Sequence, residues 1–188
     1  MGTVRPNIEH IRKLGFFAQA HRWYLEWEKF PACCAGYTDD DINFRCESMN
    51  IPKLANNTVP IEVRGSKVNQ TGKGEYDDTL TLTLFETVDN IITQFLKEWR
   101  DACWLTENGS AGTTSDKDMV EATIIMTLLD NMDQPRWWYK FIGCILESSE
   151  PGADPGNDAE PYKPVITIKY DYFNDWGAPS AVFGKANF

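Results

Sequence analysis

Six residues, Thr79-Leu80-Thr81-Leu82-Thr83-Leu84, alternate without a break between a hydroxyl and a leucine. Strand side chains point to opposite faces with period two, so the run fits a β-strand with a leucine face and a wettable face. Helical packing is excluded, because both residue types would be scattered around the helix circumference. A strand of this kind needs neighbours that share its buried face, and it belongs in an antiparallel sheet with one face solvated.

The chain supplies those neighbours. His21–Phe30 places Trp23, Leu25 and Trp27 on one face and Tyr24, Glu26 and Glu28 on the other. Pro31–Asp41 reads as a turn with an acidic triplet, and Ile42–Ser48 as a strand with Ile42, Phe44 and Cys46 on one face. Pro52 and Pro60 bracket an irregular segment, since proline cannot donate to a ladder. Ile61–Val68 is extended, and Gly72-Lys73-Gly74 reads as a flexible hairpin tip. Val120–Asp130 and Arg136–Glu147 are long strands joined by a turn-rich Asn-Met-Asp-Gln-Pro connection, apolar enough to lie centrally. Val165–Phe173 is the last strand.

One helix stands out, Asp89–Trp104. Ile91, Ile92, Phe95, Leu96, Trp99 and Cys103 recur at helical spacing, with Ile92, Phe95, Leu96 and Trp99 as its core stripe and Asp89 as its N-cap. About seven strands and one helix, with no βαβ alternation, predict a mainly β domain. Its form is an antiparallel two-sheet sandwich or barrel with a helix on its flank. The whole of 1–188 is read as one domain. It has an N-terminal arm or short helix at 1–20, an acidic excursion at 148–163 and a C-terminal tail at 176–188.

Composition removes several functions. Lys and Arg number 18 against 28 Asp and Glu, a formal net charge of −10, which excludes sequence-specific binding to nucleic acid through a basic footprint. No run approaches the roughly 18 apolar residues of a membrane span, and Met1–Phe17 lacks the pattern of a signal peptide. Five cysteines without C-x-x-C spacing point to reduced thiols in a cytosolic setting. The N-x-[ST] matches at Asn56, Asn69 and Asn108 therefore carry no weight as glycan sites.

Catalytic patterns are missing as well. Gly65–Gly74 is too long by two residues for a phosphate-binding loop, no Ser or Thr follows Lys73, and no helix opens there. His10 and His21 have no motif partners. Cys33-Cys34 lacks a nucleophile signature. The acidic triplet Asp39–Asp41 and the excursion Glu147–Glu160 lack EF-hand ligand spacing and read as solvated faces. The expectation is no enzyme, no cofactor and no metal.

What remains is the stretch from Cys46 to Glu86, a polar β-arm feeding the alternating strand. Its order is Phe44-Arg-Cys46, Ile51-Pro52, Pro60-Ile61-Glu62-Val63-Arg64-Gly-Ser-Lys67-Val-Asn69, then Gly74-Glu-Tyr76-Asp77-Asp78-Thr-Leu-Thr-Leu. That order resembles the tail tube proteins of contractile-tailed bacteriophages, a family shared with R-type tailocins and related injection systems. The helix directly after that strand, with Phe95 and Trp99, is similar too, as is a Tyr/Phe-rich last strand. The resemblance covers roughly Trp23 to Asn174, and the acidic excursion and the tail depart from it.

The resemblance implies a self-assembling structural subunit. Six copies close into a homohexameric ring, rings stack into the inner tube of a contractile tail, and the tube conducts DNA during ejection. It makes Pro52, Ile61, Val63, Arg64, Lys67, Asn69, Lys73, Tyr76, Asp77 and Asp78 the arm between subunits and rings. Glu62, Thr79, Thr81 and Thr83 become candidates for the lumen face. Implied partners are the sheath, tape-measure, baseplate and tail-terminator proteins, with phage DNA passing non-specifically and no membrane bound by the subunit. The implied location is the virion, after synthesis in the bacterial host cytoplasm. Net charge −10 would suit a conduit that repels phosphate. A tube of a phage-derived injection machine and a monomeric β-sandwich binding module stay open as alternatives.

Overall fold

The computed structural model describes residues 18–104, 117–152 and 161–177. Nine strands are present among them: β1 Trp23–Lys29, β2 Cys46–Met49, β3 Leu54–Val63, β4 Ser66–Tyr76, β5 Thr79–Leu84, β6 Ala122–Leu129, β7 Pro135–Glu150, β8 Val165–Lys169 and β9 Tyr172–Gly177. Two helices accompany them, α1 Asp39–Asn43 and α2 Ile91–Cys103. All strand pairs are antiparallel. The protein is thus mainly β with one substantial helix.

Among the described residues seven strands form one sheet, six of them along the path β1-β6-β7-β8-β5-β2 and β9 also on β7, while β3 and β4 pair only with each other. The 16-residue β7 joins two ladders. Its first part runs between β6 and β9, with Phe141 opposite both Ile124 and Phe173. Its last part pairs with β8, from Ile145↔Lys169 to Glu150↔Val165. The junction is Gly143, at φ +73, where a Cβ would lie 2.5 Å from Asp171 Oδ2. Glycine alone enters that region freely, so the strand turns from one ladder into the other there.

Both ladders face one apolar cluster. Leu25 and Trp27 of β1, Leu80, Leu82 and Leu84 of β5, Ile124 and Met126 of β6, Phe141 of β7, and Ile166 and Ile168 of β8 meet in it. The α2 stripe of Ile92, Phe95, Leu96 and Trp99 closes that cluster and is buried as the periodicity predicts. Trp27 stacks on Phe30 at 5.0 Å and meets Phe95 and Trp99 edge-on at 5.6 and 5.8 Å. The Trp99 indole N–H donates to Val120 O at 2.8 Å, whereas the likewise buried indole N–H of Trp27 has no hydrogen-bond partner among the described residues.

Several sequence expectations give way here. Ile42 and Phe44 are not in a strand: Ile42 is in α1 and Phe44 is 79% exposed. The acidic triplet opens α1 through a capping box between Thr38 and Asp41, where carboxylates satisfy free N–H groups. Asp39 and Asn43 also accept from the backbone of Trp27 and Leu25 at 2.7 and 3.1 Å, covering the outer edge of β1. Asp89 does not cap α2. The N-cap is Asn90 in a left-handed conformation, and Glu86 accepts from Ile92 N and Thr93 N at 3.3 and 2.7 Å.

The last strand divides at Tyr170-Asp171 into β8 and β9, because Asp171 N returns to Ile142 O at the Gly143 bend. β7 extends to Glu150, three residues into the segment expected to be an excursion. Residues 1–17, most of the N-terminal arm, lie outside the described residues, as do 153–160 and 178–188.

Candidate assembly surfaces

The arm is a hairpin that touches little of its own domain. Every residue of β3 is exposed, and every residue of β4 except Gly72. The hairpin turns at Arg64-Gly65, both with positive φ, +48 and +80. Two central residues of that kind define the two-residue hairpin loop whose twist matches the flanking strands. Gly72-Lys73-Gly74 is therefore not the tip. Between the pairs Asn56↔Gly74 and Thr58↔Thr71, β4 has one residue more than β3, and Gly72-Lys73 form a bulge. A Cβ on Gly72 would stand 2.9 Å from Asn57 O, so the close approach requires glycine. Pro60 sits within β3 opposite Asn69, tolerated because a two-stranded hairpin has only edge strands.

Register gives the hairpin two unlike faces. Val59, Ile61 and Val63 share a face with Val68, which is opposite Ile61. Thr58, Pro60 and Glu62 share the other with Lys67, Asn69 and Thr71. Val59, Val63 and Val68 are each more than half exposed. Ten-residue strands reach about 33 Å at roughly 3.3 Å per residue.

The base of the hairpin is held firmly. Tyr76 donates its hydroxyl to Asp171 O at 2.6 Å, Tyr170 donates to Asp77 O, and Asp77 N reaches Lys53 O at 3.1 Å. Asp78 pairs with Lys169 Nζ at 2.6 Å, and the hydrogen bond from that ammonium holds its carboxyl below the usual range. Burial, with Asp77 and Asp78 nearby, pushes the Tyr170 phenol up. Pro52 is buried beneath the start of β3. The arm residues named from sequence thus divide. Ile61, Val63, Arg64, Lys67, Asn69 and Lys73 are on the free hairpin, whereas Pro52, Tyr76, Asp77 and Asp78 belong to its mount. Glu62 is near the turn, opposite Lys67, well away from β5 in the fold.

Among the described residues, two sheet faces have no element packed over them. On the β7-β8-β5-β2 ladder, Thr79, Thr81 and Thr83 share a face with Lys169, Thr167, Val165 and Ser48. Threonines dominate it, half-buried by one another, while Leu80, Leu82 and Leu84 are fully buried behind them. On the β1-β6-β7-β9 ladder the open face carries Tyr24, Ile125, Trp138, Ile142, Tyr172 and Trp176. Trp138 and Trp176 stack there at 6.0 Å.

Nothing described assembles a reaction centre. Among the described residues no three His, Cys, Asp or Glu side chains converge as a metal site, and no helix is long and apolar enough to cross a membrane. The five cysteines are free, and burial pushes the thiols of Cys46 and Cys144 up to about 12, far from reactive thiolates. A cleft of about 440 Å³ between α2 and the end of β7 presents Lys97 and Arg100 beside Glu86 and Glu150.

This fold, a mainly β domain bearing one substantial helix, is shared with chains of solved contractile injection system assemblies. In particular, the fold matches a chain of the extracellular contractile injection system PVC sheath–tube complex in its extended state. That match has a TM-score of 0.60 and 10% identity over 93% of this chain and all of that one. A chain of the PVC sheath/tube terminator superposes at 0.61, with 10% identity over 87% and 99%. A chain of the anti-feeding prophage baseplate gives 0.59, with 10% identity over 87% and 97%. No family model and no curated protein matches the sequence.

Proposed function

We propose that this protein is the structural subunit of a tube: copies close into rings, and rings stack around a lumen. The observation that carries this reading is the free hairpin on its rigid mount. An isolated two-stranded hairpin is marginally stable in water, and this one leaves valines exposed on an otherwise well-packed domain. Contact with other copies would bury that face. The edges agree: among the described residues, β2 and the end of β7 each pair on one side only. Such a ladder joins edge to edge around a ring, which removes the open edges.

In this reading the ring is a hexamer, as the family resemblance implies, and the threonine face of β5 and β8 lines the lumen. That face is hydroxyl-rich, with ion pairs Asp78–Lys169 and Glu47–Lys163 at its margins and one further carboxylate, Glu150, opposite Val165. Its weak net field would offer phosphate little to stick to, so passage of DNA would not depend on a strongly anionic wall. Sheath, tape-measure, baseplate and terminator proteins would be the partners, and the particle's tail the location. A phage tail and a phage-derived injection machine are served equally by this subunit. Neighbouring genes for a capsid and packaging motor would mark the former.

Negative-stain microscopy of the purified chain tests the reading. Hollow tubes of uniform diameter or six-fold rings are expected. A monodisperse monomer across salt and concentration would sink it.

A further inference from the structure

We infer that the aromatic face of the β1-β6-β7-β9 ladder is the seat for the β3–β4 hairpin of a second copy of this chain. The inference rests on the tube reading for its setting, but the contact itself is argued from the two surfaces. The face carries two stacked indoles, two tyrosines and two isoleucines, with Trp176 and Tyr172 exposed by 41% and 49%. Thr127, in register between Tyr24 and Trp138 on this face, is completely buried and its hydroxyl has no hydrogen-bond partner. The centre of the face is thus already dry. A dry centre ringed by large aromatic side chains is how the core of a protein interface is built.

The hairpin supplies a matching surface. Its apolar face of Val59, Ile61, Val63 and Val68 is the right shape for packing layer on layer, about 10 Å from the receiving strands. Charge points the same way. On the hairpin Leu54–Tyr76, Glu62 and Lys67 oppose each other on the far face, which leaves Arg64 at the turn and Lys73 at the bulge against Glu75, a slightly positive element on a chain of net charge −10. The receiving face bears Glu26 and Glu28, with Lys140 paired to Glu28. The mount at Tyr76, Asp77 and Asp78 projects the hairpin away from its own domain, so the seat is offered by another copy.

The experiment places the photo-crosslinking residue p-benzoylphenylalanine at Ile61 or Val68, one substitution per full-length chain. These copies are mixed with ¹⁵N-labelled copies lacking the probe. After irradiation, crosslinked peptides are mapped by mass spectrometry, and the same samples are viewed by negative stain. Labelled peptides covering 122–129, 135–142 or 172–177 are expected from both probe positions. Yields should be at least several-fold above those from a probe at Lys67 on the opposite hairpin face. Crosslinks to β2, β5, β8 or α2 instead, or no crosslink between copies, would overturn the inference. Tubes seen together with crosslinks elsewhere would remove the seat and keep the tube. The expected crosslinks without tubes or rings would keep the seat and remove the tube.

Discussion

Tyr76 and Tyr170 stack with ring centroids 6.4 Å apart and planes inclined by 23°, and each hydroxyl reaches a backbone carbonyl beside the other's strand. Tyr76 ends the hairpin, and Tyr170 directly follows β8 within the core. The pair is therefore the clasp that fixes the free arm to the packed domain, at the point where an assembly load would be transmitted.

Tyr76→Phe keeps the stack and removes one hydrogen bond. We expect a stability loss of about 1 kcal/mol, the typical net worth of such a bond. Urea unfolding measures it, and an unchanged midpoint would show that the clasp depends on the rings alone.

Replacing 55–75 with a two-residue Asn-Gly turn should leave the domain folded. Leu54 and Tyr76 are directly opposite each other, and among the described residues β3 and β4 pair with no other strand. Near-UV circular dichroism should match the parent while tubes and rings vanish under the microscope. Tubes built by this variant would remove the arm from assembly.

Gly143→Ala forces a Cβ to within 2.5 Å of Asp171 Oδ2 at a positive φ. Backbone strain of this kind costs of order 1–3 kcal/mol, and the displaced Asp171 adds to it. A lowered denaturant midpoint with an unchanged slope is expected. Equal stability would mean that the bend is not specified by this glycine.

Trp99→Asp puts a carboxylate among Trp27, Phe95 and the other buried rings. Burying an unpaired charge costs several kcal/mol, comparable to the stability of a whole domain. The variant should lack a cooperative thermal transition. A soluble, assembling product would move the helix stripe from core to surface.

Acid should loosen the fold. Asp78 is held low by its hydrogen bond from Lys169, Asp41 by Thr38, and Asp130 by backbone N–H groups. A carboxyl lowered in the folded state contributes stability above its unfolded value, near pH 3.9, and loses it as pH falls through the folded value. Stability should therefore be flat near neutrality and fall below about pH 4. Hydrogen exchange at 77–79 should rise in the same range, and a midpoint independent of pH from 6 to 3 would contradict this.

Local chemistry determined a good part of this protein. Period two placed β1 and β5 and their buried residues, and helical spacing placed the stripe on α2, because those signals are carried by adjacent side chains. The arm, too, was legible as polar, extended sequence leading into Thr79. Tertiary structure decided the rest. Alternating apolarity could not separate the Ile42 helix from a strand, since the caps from Asp39 and Asn43 act on β1, far along the chain. Glycines at 65, 72 and 143 look alike in sequence. One completes a hairpin turn through its positive φ, one accommodates a bulge against the Asn57 carbonyl and one bends β7 beside the Asp171 carboxylate. The two open faces, one of hydroxyls and one of aromatic rings, exist only once distant strands are in register.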